Sequence, residues 1–131
     1  MNKPVRLVIA DDSEIVRRAI VQVISTCCEG VEVVGLAAGF GSLLQTIETA
    51  RPDVVLVDLN MHAEVPVEPE LLQAHLGAAC LLVMSAYFDE PRAERARAYG
   101  AAELLEKGKL AETLQPAIER CMGPKWRAAG Q

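Results

Sequence analysis

The sequence predicts an α/β protein with a doubly wound, five-stranded parallel sheet and helices on both faces. Five short apolar runs alternate with longer segments of helical periodicity, and no repeat or linker interrupts them. The third run, residues 54–57, has no polar alternation, which is typical of a parallel strand buried on both faces. A chain of 131 residues has the length of one domain, and a domain of this size can bury about two-thirds of its surface.

Local signals mark where each element begins and ends. The first strand stops at an acidic pair, Asp11-Asp12, and the helix after it carries one apolar stripe and ends near Gly30. A capping acid and a proline in residues 89–91 start the fourth helix, and Pro116 indicates either a kink in the last helix or a later start. The predicted strands are residues 5–10, 31–36, 54–57, 79–84 and 102–105. The predicted helices are residues 13–28, 42–50, 68–76, 89–100 and 110–122.

The composition excludes several classes of protein. Hydrophobic residues make up 51% of the chain and charged residues 24%, which excludes disorder, collagen and coiled coil. The net charge is −5, and residues 1–91 hold 5 basic against 13 acidic side chains. Such an acidic body argues against direct binding of nucleic acid by this domain.

The sequence also predicts the compartment. It has no apolar run of eighteen residues and no signal peptide, so we expect a cytoplasmic protein with no membrane association. Its four cysteines, at positions 27, 28, 80 and 121, show no metal-ligand spacing. We therefore expect them to be reduced thiols that act as small hydrophobic side chains.

Polar residues capable of chemistry follow four of the five predicted strands. Asp11 and Asp12 follow the first strand, Asp58 the third, Ser85 the fourth and Lys107 the fifth. In a doubly wound fold the carboxyl ends of the strands share one rim, so these side chains should converge. Asp12 alone could be a helix N-cap and Ser85 a turn residue, but a carboxylate that closes an apolar strand is costly to bury without a purpose.

This set of residues predicts phosphoryl transfer to an aspartate. Three close carboxylates repel one another unless a cation neutralises them, and oxygen ligands of this kind suit Mg²⁺. The ammonium of Lys107 supplies a second positive charge. With both cations present, Asp58 could attack an incoming phosphoryl group whose oxygens they hold.

Four stretches resemble the receiver domain of two-component response regulators. They are LVIADD at 7–12, RPDVVLVDLNM at 51–61, MSAY at 84–87 and YGA at 99–101, which leads on to Lys107. The resemblance covers roughly residues 5–122 and implies the flavodoxin-like receiver fold, with Asp58 as the phosphoacceptor. It also implies that Asp12 binds Mg²⁺ directly, Asp11 through water and Asn60 through its backbone carbonyl. Ser85 and Lys107 would contact the phosphoryl group.

The resemblance further implies partners and an organisation. The phosphoryl donor would be a sensor histidine kinase or a phosphotransfer protein, and a homodimer could form through the fourth and fifth helices. We expect residues 1–122 to be the receiver domain and 123–131 a short tail or truncated linker. VVG at 33–35 and RPD at 51–53 look most like the branch with helix-turn-helix DNA-binding outputs.

Three positions depart from the family pattern. His62 and Gly108 stand where prolines are usual, and Leu104 stands where an aromatic residue often switches position on activation. These departures favour an alternative reading, a degenerate receiver that acts as a constitutive interaction module. A flavodoxin-type electron carrier is a further alternative, but the acidic pair after the first strand would repel a flavin phosphate. On the fourth helix, the arginines at 92, 95 and 97 are expected to form a solvated face, with a docking face as the alternative.

Overall fold

The computed structural model describes residues 3–61 and 67–123, and it confirms the predicted fold class. All five strands pair in parallel in the order β2-β1-β3-β4-β5. The strands are β1 (Val5–Ala10), β2 (Val31–Ala37), β3 (Val54–Asp58), β4 (Cys80–Ser85) and β5 (Glu103–Glu106). The helices are α1 (Glu14–Cys27), α2 (Phe40–Ala50), α3 (Pro69–Leu76), α4 (Glu90–Ala98) and α5 (Leu110–Met122).

Two apolar layers hold the helices against the sheet. On one face, α2 and α3 pack on it through residues such as Leu43 and Leu72, which are fully buried. On the other face, α1 and α5 pack through residues such as Ile20 and Leu114. Strand β3 lies in the centre and is buried along its whole length, as its unbroken apolar run predicts.

Most element boundaries agree with the sequence prediction to within one or two residues. The start of α2 at Phe40 is two residues earlier than predicted, because Phe40 itself packs into the core and brings its turn into the helix. Asp89 caps α4 as expected, with its side chain accepting the Arg92 N–H. Helix α5 begins at Leu110 and continues through Pro116, so it has no later start. The cap of α1 is Ser13, not Asp12.

The expectation of four reduced cysteines is wrong for one pair. Cys80 and Cys121 are joined in a disulfide, while Cys27 and Cys28 are free. The first residue of β4 and the last turn of α5 lie side by side with a Cα–Cα distance of 6.2 Å, which is within the range that a disulfide spans. Their separation of 41 residues gave no sequence signal of this proximity.

Candidate functional site

The residues predicted at the strand ends meet at one edge of the sheet. Strand order reverses beside β1 and β3, and the side chains that follow these strands converge there. One carboxylate oxygen each from Asp11, Asp12 and Asp58 lies within 4.8 Å of the others. Asp11 and Asp58 are buried, whereas Asp12 is exposed. The three acids thus form a cluster that opens to solvent on one side.

Lys107 reaches into this cluster from the end of β5. Its Nζ lies 2.7 Å from Asp11 Oδ2 and 3.1 Å from Asp58 Oδ2, so one ammonium pairs with both buried acids. The lysine begins a 3₁₀ turn, Lys107–Lys109, in which Gly108 is exposed and has no atom near its α-carbon that a side chain would meet. A side chain at position 108 would therefore meet no packed neighbour at its β-carbon.

Burial and charge act on these groups in opposite directions. Burial raises the pKa of the Asp58 carboxyl, and the Asn60 N–H and Lys107 offset only part of that effect. For Lys107, burial lowers the pKa, but contact with Asp11 and Asp58 outweighs it, so the pKa is raised. Asp58 is thus costly to ionise without a further cation beside Lys107, and Lys107 stays charged.

Backbone and side-chain hydrogen bonds orient the remaining residues. The Asn60 N–H donates to Asp58 Oδ1 at 3.0 Å, and Asn60 Nδ2 donates to Ser85 Oγ at 3.3 Å. Ser85 is buried, and its Oγ also accepts the Tyr87 N–H at 3.3 Å. The Ser13 N–H donates to Asp11 Oδ1 at 2.9 Å, which ties the acid to the start of α1.

The oxygen donors fit a divalent cation of the Mg²⁺ type. Carboxylates are the protein ligands that Mg²⁺ prefers, and three converge here on one solvent-facing position. The three carboxylates repel one another, and Lys107 offsets only part of that repulsion. A cation at this position would offset the rest. His62 lies outside the described residues.

The sequence analysis placed Arg92 and Arg95 on a solvated face of α4 and gave Tyr87 no role, but all three contact the surroundings of the site. Arg95 on α4 donates from Nη2 to the Leu59 carbonyl, 3.1 Å away and directly after the acidic strand end. The Arg92 guanidinium lies over the Tyr87 ring, 5.2 Å from its centre. Only the position of Tyr87, two residues after Ser85, could have indicated this contact from the sequence.

Comparison with known proteins adds the identification. Residues 7–119 match the response regulator receiver domain family. The chain belongs to this family. Over 116 residues it is 30% identical to the transcriptional regulatory protein PdtaR of Mycobacterium tuberculosis. The match covers 88% of this chain but 56% of PdtaR, so the chain spans about half the length of that relative.

Solved receiver structures are also similar to this chain. The receiver domain of the response regulator NarL from M. tuberculosis has a TM-score of 0.77 and 27% identity, with 91% of this chain and 96% of that one covered. A LuxR-family two-component response regulator from Aurantimonas sp. SI85-9A1 has a TM-score of 0.78 and 25% identity, with 96% and 94% covered. The receiver domain of Thermotoga maritima CheB, 18% identical with a TM-score of 0.78, shares the fold. Among the described residues, no helix is long and apolar enough to cross a membrane.

Proposed function

We propose that this receiver is a phosphorylation-dependent switch that takes a phosphoryl group onto Asp58 from a sensor histidine kinase or a phosphotransfer protein. The observation that carries the proposal is the position of Asp58, a buried carboxylate between two further acids and a lysine. A structural role alone gives no reason to gather three carboxylates at the end of a buried strand.

The chemistry follows from the groups around Asp58. A carboxylate oxygen of Asp58 forms a bond to phosphorus, and the bond from phosphorus to the donor nitrogen breaks, with the electron pair going to the imidazole. Lys107, already 3.1 Å from Asp58, would pair with a phosphoryl oxygen after transfer. Asp11, Asp12, Asp58 and the Asn60 carbonyl would hold Mg²⁺, which when bound supplies positive charge opposite the phosphoryl oxygens.

Ser85 and its neighbours connect the phosphorylation site to a surface helix. A phosphoryl group on Asp58 would compete for the Ser85 hydroxyl, whose Oγ now accepts from Asn60 and Tyr87. A movement of this turn would carry the Tyr87 ring and the Arg92 guanidinium on α4 with it. We infer that α4 is the first surface element to respond.

The donor requires a surface beside the site, and α1 provides one. An apolar groove of about 360 Å³ lies between α1 and the start of α5, with Lys107 at its edge. Ile15 lines it and is 81% exposed, the highest value among the large hydrophobic side chains in the described ranges. We expect a helix of the phosphoryl donor to cover this groove, which would bring its phosphohistidine to the rim.

The rest of the proposal concerns what the domain does after phosphorylation. It would act in the cytoplasm by binding a protein partner or by forming a homodimer through α4 and α5, without contacting nucleic acid or a membrane itself. It would turn over no substrate beyond its own phosphorylation and dephosphorylation. Light scattering with and without beryllofluoride would test for dimer formation.

The second candidate is a degenerate receiver that binds its partner constitutively. One observation favours it: Leu104 on β5 is partly buried against the core, and it lacks the hydroxyl through which an aromatic switch residue could signal. Under this alternative, the acidic cluster would persist without accepting a phosphoryl group.

Intact mass after incubation with acetyl phosphate and Mg²⁺ separates the two candidates. The proposal expects one phosphoryl adduct that depends on Mg²⁺ and is lost in Asp58→Asn. Asp53→Asn is the matched control, because Asp53 lies next to the opposite end of β3 and its carboxylate accepts the Arg6 N–H at 2.9 Å, a bond that an asparagine oxygen can keep. An adduct that persists in Asp58→Asn would refute the site. The absence of both an adduct and beryllofluoride binding would establish the degenerate module.

A further inference from the structure

The edge of the sheet opposite the acidic cluster carries a second reactive group. Cys80 begins β4, and Cys121 lies in the last turn of α5, and the disulfide between them fixes the end of α5 to the sheet. The Cys80 N–H donates to the Asp53 carbonyl at 2.9 Å, so the sheet holds Cys80 in place. Helix α5 is therefore the element that gains or loses a tether when the disulfide changes.

This disulfide can be reached from solvent. Both cysteines are half-buried and line an open cavity of about 630 Å³. Arg51 and His75 also line that cavity, together with the acids Glu48 and Asp53, and His75 Nε2 lies 3.4 Å from a Glu48 carboxylate oxygen. A thiolate entering the cavity can approach the sulfur–sulfur bond, and exchange proceeds from there through a mixed disulfide.

We propose that Cys80 and Cys121 form a reversible redox site that exchanges with small-molecule thiols of the glutathione type. A thiolate attacks one cysteine sulfur, the protein disulfide breaks, and the released cysteine thiolate takes up a proton. A second thiolate then attacks the mixed disulfide and releases the oxidised small molecule, and the second cysteine takes up a proton. Two electrons pass from two small thiols to the protein disulfide, and oxidised small molecule reverses the sequence.

The redox state would control the end of α5. In the oxidised form the residues between the two cysteines, which include all of α4 and β5, form a closed loop. Reduction releases the last turn of α5 from β4 while leaving the acidic cluster at the far edge unchanged. The site would therefore regulate the end of α5 independently of phosphorylation.

The test titrates the pair against defined ratios of reduced and oxidised glutathione. The protein carries Cys27→Ser and Cys28→Ser, so that only Cys80 and Cys121 can react, and thiols are trapped with iodoacetamide before intact mass is measured. We expect a change from no alkylated thiols to two in a single transition. A third substitution, Cys80→Ser, is the control; it leaves Cys121 alone, which can form only a glutathione adduct.

Three results would overturn the proposal. The pair could stay oxidised in the native protein at every ratio while the urea-unfolded protein is reduced, which would make the disulfide a permanent cross-link. It could stay fully alkylated even in oxidised glutathione, or it could collect glutathione adducts instead of the internal disulfide. Amide hydrogen exchange gives a second readout: the last turn of α5 should exchange several-fold faster after reduction, with α1 unchanged. Equal exchange in both states would refute the control of α5.

Discussion

Removal of the Lys107 charge should destabilise the metal-free protein in a way that Mg²⁺ repairs. Lys107→Met keeps the length of the side chain but leaves Asp11 and Asp58, which are 1% and 4% exposed, without their shared ammonium. Removing one partner of a fully buried ion pair costs about 3–5 kcal/mol. Because Lys107 is itself 24% exposed, we expect a smaller loss of about 2–3 kcal/mol. At about 4 °C per kcal/mol for a chain of this length, the Tm should fall by about 8–12 °C.

Thermal unfolding with and without Mg²⁺ measures this effect. Without the ammonium beside them, the acids should bind Mg²⁺ more tightly than they do in the wild type, and at saturating Mg²⁺ each tenfold gain in affinity returns about 1.4 kcal/mol of the expected loss. Because the pKa of Lys107 is raised, the wild-type advantage should be complete below the ordinary lysine pKa of about 10.4 and disappear as the pH rises through the higher folded value.

Lys109→Met is the matched control. The same substitution two residues further on removes an exposed lysine whose Nζ lies 4.0 Å from Glu106, and it should change stability by no more than about 0.5 kcal/mol. The reasoning fails if Lys107→Met is as stable as the control without Mg²⁺. It also fails if Mg²⁺ does not reduce the difference between the two variants.

Three further predictions test other parts of the site. Asp58→Asn should stabilise the metal-free protein near neutral pH, because burial raises the pKa of Asp58 and the neutral amide avoids the cost of ionising a buried carboxyl. In urea titrations the gain should shrink as the pH falls through that raised pKa, and a pH-independent gain would contradict it. Ile15→Lys should slow transfer from autophosphorylated histidine kinases at least tenfold but leave acetyl phosphate labelling unchanged. Leu71→Lys, which also replaces an exposed hydrophobic side chain, should change neither. Arg95→Met should leave the labelling yield intact. It should weaken partner binding or dimer formation after beryllofluoride addition, because it removes the hydrogen bond to the Leu59 carbonyl. An unaltered response would exclude that contact from switching.

The fold could be predicted because periodicity and burial agree along most of the chain. The apolar run of β3 has no polar alternation, and its residues are buried on both faces of the sheet. Helix α1 shows its apolar stripe, and the residues of that stripe that are buried, Ile20 and Ile24, pack on one face of the sheet. The start of α2 was harder to predict, because Gly39 caps it without a side-chain hydrogen bond and no capping residue marks the boundary.

The convergence of the site residues could be expected because parallel strands end at a common edge. Residue types at five strand-end positions were sufficient to predict that Asp11, Asp58 and Lys107 would lie together, and their ion pairs are 2.7 and 3.1 Å long. Their roles in phosphoryl transfer and metal binding stay predictions until the labelling experiment is done. The contacts of Arg95 and Tyr87 were not predicted, because they depend on side-chain directions that charge patterns leave open.

The disulfide was missed for a different reason. Cysteine spacing reports on pairs that are close along the chain or follow a known ligand pattern. Cys80 and Cys121 meet only because β4 and α5 are packed against each other by the whole fold. Proximity of this kind depends on the tertiary structure, and the spacing of cysteines in a single sequence does not indicate it.

The order of the charges along the chain has a consequence for how the protein is made. During synthesis the acids at 11, 12 and 58 leave the ribosome well before Lys107. Until β5 docks, β1 and β3 must pair with their carboxylates facing each other and without the ammonium that later joins them. A nascent chain should therefore pair these strands more readily in millimolar Mg²⁺ than in its absence, and the ion would assist folding as well as the proposed phosphoryl transfer.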